Sequence, residues 1–288
     1  MTFRLHASMV LLPALLLLQI TFAAGTNEVP VQADSLCQFI LQRYQLSPAK
    51  ERAFNQIVAD LLQRHEEVFG FKTPTNFHLQ IRLFGRREDF QQFATTNASP
   101  FEANMGGYYS PIEKQVNLWL PEEKSYLAKV VLHECSHAIM DSRFRRLPVW
   151  LSEGSADYFS IPRNMQGTAQ TWLLKHRWGD LNRWLKDGSL PELKTFLNLE
   201  GWDYYSTDLD RAYTASWSLF QFLKSTPEKQ KIMNEMLRRI QIIHRPPATC
   251  SEVLGTLYPG GLVQFEKDWH EWIRLPLKTP FVPPPLGR

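Results

Sequence analysis

The stretch Val130-Val131-Leu132-His133-Glu134-Cys135-Ser136-His137-Ala138-Ile139-Met140 decides how the rest of this chain is read. Tyr126, Leu127, Val130 and Val131 recur at helical spacing and Ala138 to Met140 continue it, so His133 and His137 fall mid-helix. On a helix, residues four apart share a face and stand about one turn from each other. Two imidazoles so placed can grip one metal ion. Glu134 projects roughly 100° round the helix from His133. At that edge of the face it can reach a water without being a ligand. Cys135 points away and reads as a small buried filler.

A catalytic zinc site takes three protein ligands and keeps a fourth position open for water. Downstream, Pro148 opens a second helix through Leu151-Ser152-Glu153-Gly154-Ser155-Ala156-Asp157-Tyr158-Phe159. Glu153 and Asp157 are four apart, hence on one face. The first is expected to ligate and the second to accept a hydrogen bond from a ligand imidazole, fixing its tautomer and orientation. Asp141 lies past the two histidines, and Glu122 and Glu123 lie before the helix begins. None of these rivals has a paired carboxylate behind it.

Together, His133-Glu134-x-x-His137 and Trp150-Leu151-x-Glu153-Gly154-x-Ala156-x-Tyr158 resemble the peptidase-MA-like gluzincins, the superfamily that includes thermolysin and the M1 aminopeptidases. The likeness is strongest to small exported bacterial members and spans roughly residues 77 to 224. A Gly-rich strand before the metal helix (Gly106-Gly107-Tyr108-Tyr109) and a later helix of the type Tyr213-x-x-Ser216-Trp217 match as well. Fifteen residues separate His137 from Glu153, fewer than in the best-known gluzincins, so the loop from Arg143 to Pro148 must be tight. The Gly-Ala-Met-Glu-Asn motif of M1 aminopeptidases is absent, so aminopeptidase activity gains no support.

The resemblance implies one Zn²⁺ per chain on His133, His137 and Glu153, and a peptide or protein substrate. Glu134 would be the general base for a metal-activated water, and Tyr213 the donor to the oxyanion. Gly107 and Tyr108 would contribute to substrate binding, and the strand ending at Leu120 is expected to be the edge that pairs with an extended substrate backbone. Two other readings stay open: a catalytically degenerate zinc-bearing binding protein, and a zinc amidase acting on cell-wall peptide.

Outward from the motif, Phe77 to Phe84 alternates with period two and reads as a strand. Arg86 to Thr95 reads as a helix, and Gly106–Tyr109 and Gln115–Leu120 as two strands joined at Pro111. Before them, Leu36, Phe39 and Ile40, then Phe54 to Leu62, are spaced as helices, the second opened by Ser47-Pro48. After Pro121 the pattern is helical to about Ile273, with a Pro-rich tail beyond. The expected fold is therefore α+β, with a small mixed or antiparallel sheet in the first half, a zincin helical core and a mostly helical C-terminal half. The expected segments are a leader over 1–25, an N-terminal helical segment over 26–70, the sheet and metal helices over 71–160, and a helical remainder of the same unit over 161–288.

Arg4 and His6, the apolar run Met9–Leu18 and the small residues Ala23-Ala24-Gly25 read as a secretory signal peptide cleaved between Ala23 and Thr26. The expected destination is secreted or periplasmic, with no membrane association after cleavage. Export permits a disulfide, and of Cys37, Cys135 and Cys250 the pair expected is Cys37–Cys250. With a formal net charge of +3 and no basic run longer than the three arginines of 143–146, no nucleic-acid partner is expected, and charge names no other partner.

Overall fold

In the computed structural model, residues 35–74, 76–120, 126–161, 168–242 and 249–276 are described. The leader over 1–25, the lead-in to residue 34, the rivals Glu122 and Glu123, and most of the Pro-rich tail lie outside them. Strand β1 is Cys37–Gln42 and helix α1 is Pro48–Phe69. Strand β2 follows at Leu79–Phe84, then α2 at Arg87–Asn97. A short 3-10 turn at Glu102–Asn104 leads into β3, Gly107–Ser110, and β4, Gln115–Trp119. Among the described residues only helices follow: α3 Tyr126–Arg143, α4 Val149–Phe159, α5 Thr168–Asp187, α6 Leu193–Leu197, α7 Gly201–Tyr205, α8 Leu209–Lys224, α9 Pro227–Ile240, α10 Cys250–Leu257 and α11 Gly261–Arg274. This is the expected α+β arrangement, with a four-stranded mixed sheet in the first half and helices after it.

The sheet order is β1-β2-β4-β3, with β1–β2 and β2–β4 parallel and β3–β4 antiparallel. Leu79, Ile81, Leu83, Val116 and Leu118 point to one face and join the main core with α1 and α3. Phe84 and Tyr108 point to the other face, where they pack with Phe90 and Ala94 of α2. Helix α1 begins at Ser47, whose hydroxyl accepts from the Lys50 N–H, and ends at Gly70 in the left-handed conformation (φ 70°).

Three expectations need correction. The helix over Leu36–Ile40 is strand β1. Its Cys37 and Phe39 sit opposite Leu79 and Ile81, and long-range pairing with β2 overrides a spacing that fits either period over so few residues. That strand makes β1-α1-β2 a parallel crossover unit inside the α+β frame. Second, β4 is not an edge: β2 and β3 occupy both its sides, so the edge beside the metal helix is β3. Third, Cys37 and Cys250 are free and buried. Cys37 lies near Cys135 under the sheet, whereas the Cys250 thiol faces the Met236 sulfur at 3.5 Å at the start of α10. The two belong to different parts of the core.

Helix α1 is tied to the metal helix by one buried polar pair. His65, fully buried, donates from Nδ1 to the Leu61 carbonyl at 2.8 Å, so its Nε2 accepts from the Ser136 hydroxyl, also at 2.8 Å. Burial pulls its pKa from 6.5 down to about 3. The folded chain therefore refuses a proton that the unfolded chain binds below pH 6.5, and stability falls as pH drops through that window. The effect approaches about 1.4 kcal/mol per pH unit. Between about pH 6 and 5 most carboxylates are ionised in both states, so the slope there comes from histidines whose pKa burial lowers, His65 together with His270. Urea unfolding over that range should show a shallower pH slope in the His65→Phe/Ser136→Ala double variant than in the wild type. Equal slopes would exclude His65 as a source.

Candidate metal centre

His133 and His137 project from α3 into a cleft of about 510 Å³, and Glu153 enters the same cleft from α4. Their ligating atoms form a small triangle. Nε2 of His133 and Nε2 of His137 are 3.1 Å apart, and Glu153 Oε2 lies 3.3 Å from the first and 3.5 Å from the second. Donors around a tetrahedral zinc, at bonds of about 2.0–2.1 Å, stand about 3.3–3.5 Å from one another. Two sides of the triangle have those dimensions, and the third, between the two imidazoles at 3.1 Å, is slightly shorter. Glu153 Oε2 is also buried with no hydrogen-bond partner among the described residues, which is costly for a carboxylate unless a cation sits against it. The residues present therefore fit a metal ion.

Each ligand is held from behind. The Nδ1 of His133 faces Asp157 Oδ1 at 3.4 Å, and the Nδ1 of His137 pairs with the Ser152 hydroxyl at 2.9 Å. These contacts place the ring N–H on Nδ1 and leave Nε2 free for the cation. Asp157 is in turn clamped by Arg177 of α5, whose Nη2 donates to Oδ2 at 2.5 Å. The Tyr205 hydroxyl on α7 donates to Glu153 Oε1 at 2.6 Å.

Two glycines let the helices and strand come this close. A side-chain carbon at Gly154 would lie 2.3 Å from the Ser216 carbonyl of α8, an impossible contact with backbone. At Gly107 it would meet Leu118 at 2.6 Å and Val130 of α3 at 3.1 Å, so glycine allows β3 to lie against the metal helix.

Burial and charge divide the acids. For Glu153, desolvation works against ionisation, but His137 and His133 override it and hold the pKa well below the usual range. Asp157 behaves alike, its burial overcome by Arg177 and then His133. Burial would lower the pKa of His133, yet the Asp157 and Glu153 carboxylates beside it raise it to about 10. A cation must displace that proton, so binding weakens as pH falls. Glu134 is different: desolvation raises its pKa, while His133, His137 and a backbone hydrogen bond from Tyr109 only partly offset this.

The structure thus gathers His133, His137, Glu153, Asp157, Glu134 and Tyr213 round one cleft. Tyr213 stands with its ring centre 6.4 Å from that of His133. Tyr108 is placed differently from a substrate-binding phenol. Its ring packs with Phe90 on the α2 face and its hydroxyl is buried, so β3 offers the cleft its backbone edge at Gly107–Tyr108. The rival Asp141 is engaged by the Tyr109 hydroxyl at 2.6 Å and Lys114 at 2.5 Å. Nothing in the sequence marks Ser152, Arg177 or Tyr205 as partners of the centre. Ser152 directly precedes Glu153, but no spacing links Arg177 or Tyr205 to it.

Removing the third ligand should empty the centre. With Zn²⁺ supplied as the probe ion, Glu153→Ala is expected to lose most of it under mild chelation, and Asp157→Asn to bind it roughly 10- to 100-fold more weakly. Metal analysis after dialysis against a chelator reads both. Stoichiometric zinc in Glu153→Ala would send the search for a third ligand elsewhere.

No protein-family model and no curated protein matches this chain, so the reading of the centre rests on the chain's own residues.

Proposed function

We propose that this chain is a zinc-dependent peptidase of the gluzincin type that cleaves peptide bonds with a water nucleophile. The observation that carries the reading is the position of Glu134. It is buried in the same cleft as the His-His-Glu triangle, one residue from a ligand, yet it is not part of the triangle. A site that only stored a cation would have no use for a carboxylate there.

Zinc held by His133, His137 and Glu153 supplies Lewis acidity, which activates water near neutral pH and polarises a carbonyl. The Glu134 carboxylate, its proton affinity raised by burial, takes the water's proton and passes it to the departing amine nitrogen. The Tyr213 hydroxyl lines the cleft with no hydrogen-bond partner among the described residues, and it donates to the oxyanion as charge develops. Burial, then the nearby Glu153 charge, keep that phenol protonated. The free edge of β3 pairs with an extended substrate backbone and lays it across the triangle. The proposed place of action is outside the cytosol, on the strength of the apolar leader. No described helix is long and apolar enough to cross a membrane.

Two variants separate the roles. Glu134→Gln should keep about one zinc per chain while turnover of a mixed peptide library falls by at least ~10²-fold. Tyr213→Phe should lower kcat with little change in KM, since its interaction is strongest in the transition state. Wild-type rates in Glu134→Gln would overturn the mechanism even with zinc bound.

A further inference from the structure

The two oxygens of Glu153 have different surroundings. Oε1 accepts the 2.6 Å hydrogen bond from the Tyr205 hydroxyl. Oε2 accepts none among the described residues and faces the two imidazole nitrogens. A carboxylate can bind a cation through one oxygen or straddle it with both. A strong donor on one oxygen leaves only the other for the cation. We propose that Tyr205 is a positioning residue that holds Glu153 to one-oxygen binding and so keeps a further position on the metal ion open for water and substrate. The inference rests on the metal reading above.

The build of α7 suits this task. The Tyr205 ring packs against Tyr204, at 5.3 Å and nearly perpendicular, and against Phe101 of the cleft lining, at 6.2 Å. Tyr204 is itself fully buried, with its hydroxyl paired to Ser216 of α8 at 2.9 Å. The donor on Glu153 is therefore aimed by packing against two rings. The division of labour between the two cleft tyrosines follows. Tyr205 spends its hydroxyl on a ligand, whereas Tyr213 leaves its own for the substrate.

Cobalt substitution reads the coordination number without relying on activity, because four-coordinate Co²⁺ absorbs visible light more strongly than five-coordinate Co²⁺. Tyr205→Phe keeps the ring and removes the donor, so Oε1 becomes free for a second bond. At saturating Co²⁺ the visible absorption per bound ion should fall roughly twofold or more relative to the wild type. Tyr204→Phe, whose hydroxyl touches Ser216 rather than Glu153, should leave the spectrum unchanged. An unaltered spectrum in Tyr205→Phe overturns the inference alone, as does an equal loss in Tyr204→Phe, which would make the effect one of packing. A wild-type protein that takes up no cobalt overturns the metal reading and this inference with it. X-ray absorption on the zinc-loaded wild type answers the same question without a variant. A carboxylate carbon close enough for both oxygens to bind would also overturn the proposal.

Discussion

The contact between Gly154 of α4 and the Ser216 carbonyl of α8 is the constraint on which the centre depends. With no side chain between them, the two helices meet backbone to backbone, and α4 is pressed into the core along most of its length. That approach fixes the height of Glu153 relative to His133 and His137. A methyl group at position 154 would have to push α8 away or tilt α4. Either shift moves Glu153 Oε2 out of a triangle whose sides are only 3.1 to 3.5 Å. The tolerance of metal coordination, a few tenths of an ångström, is thus inherited from one helix contact.

The same helix contact organises the charges. Glu153 and Asp157 are both buried and both ionised, which an apolar core would not allow without partners. Each carboxylate is split between two jobs. Asp157 gives one oxygen to Arg177 and turns the other toward His133, while Glu153 gives one to Tyr205 and turns the other toward the cation position. Because α5 and α7 supply these partners, the helical C-terminal half is part of the site rather than a separate appendage. Glu134 receives no such cation-bearing partner of its own, and its basicity is set mainly by burial. Two acids of one cleft are thereby shifted in opposite directions, the pKa of Glu153 lowered and that of Glu134 raised.

Within the fold, legibility follows the range of the interaction. The α1 start at Ser47-Pro48, the β2 alternation and the α3 stripe are local patterns and stand where the sequence places them. Strand β1 is the counterexample. Leu36, Phe39 and Ile40 fit a helical face, but Cys37 and Phe39 are needed against Leu79 and Ile81, and no local feature announces a partner some forty residues away. The edge identity of β3 and the separation of Cys37 from Cys250 are likewise properties of sheet order and core layout.

By itself, the sequence determined the chemistry available: two imidazoles a turn apart with a carboxylate beside them, and a second helix carrying acids four residues apart. Helical periodicity makes those relations local, so they survive whatever the rest of the chain does. Only the tertiary structure decided that α4 faces α3, that Tyr109 and Lys114 engage Asp141, and that Tyr205 and Arg177 reach the ligands from far along the chain. Those placements arise from which faces bury against which, and a residue's own neighbours in sequence carry no record of the helix that will pack against it.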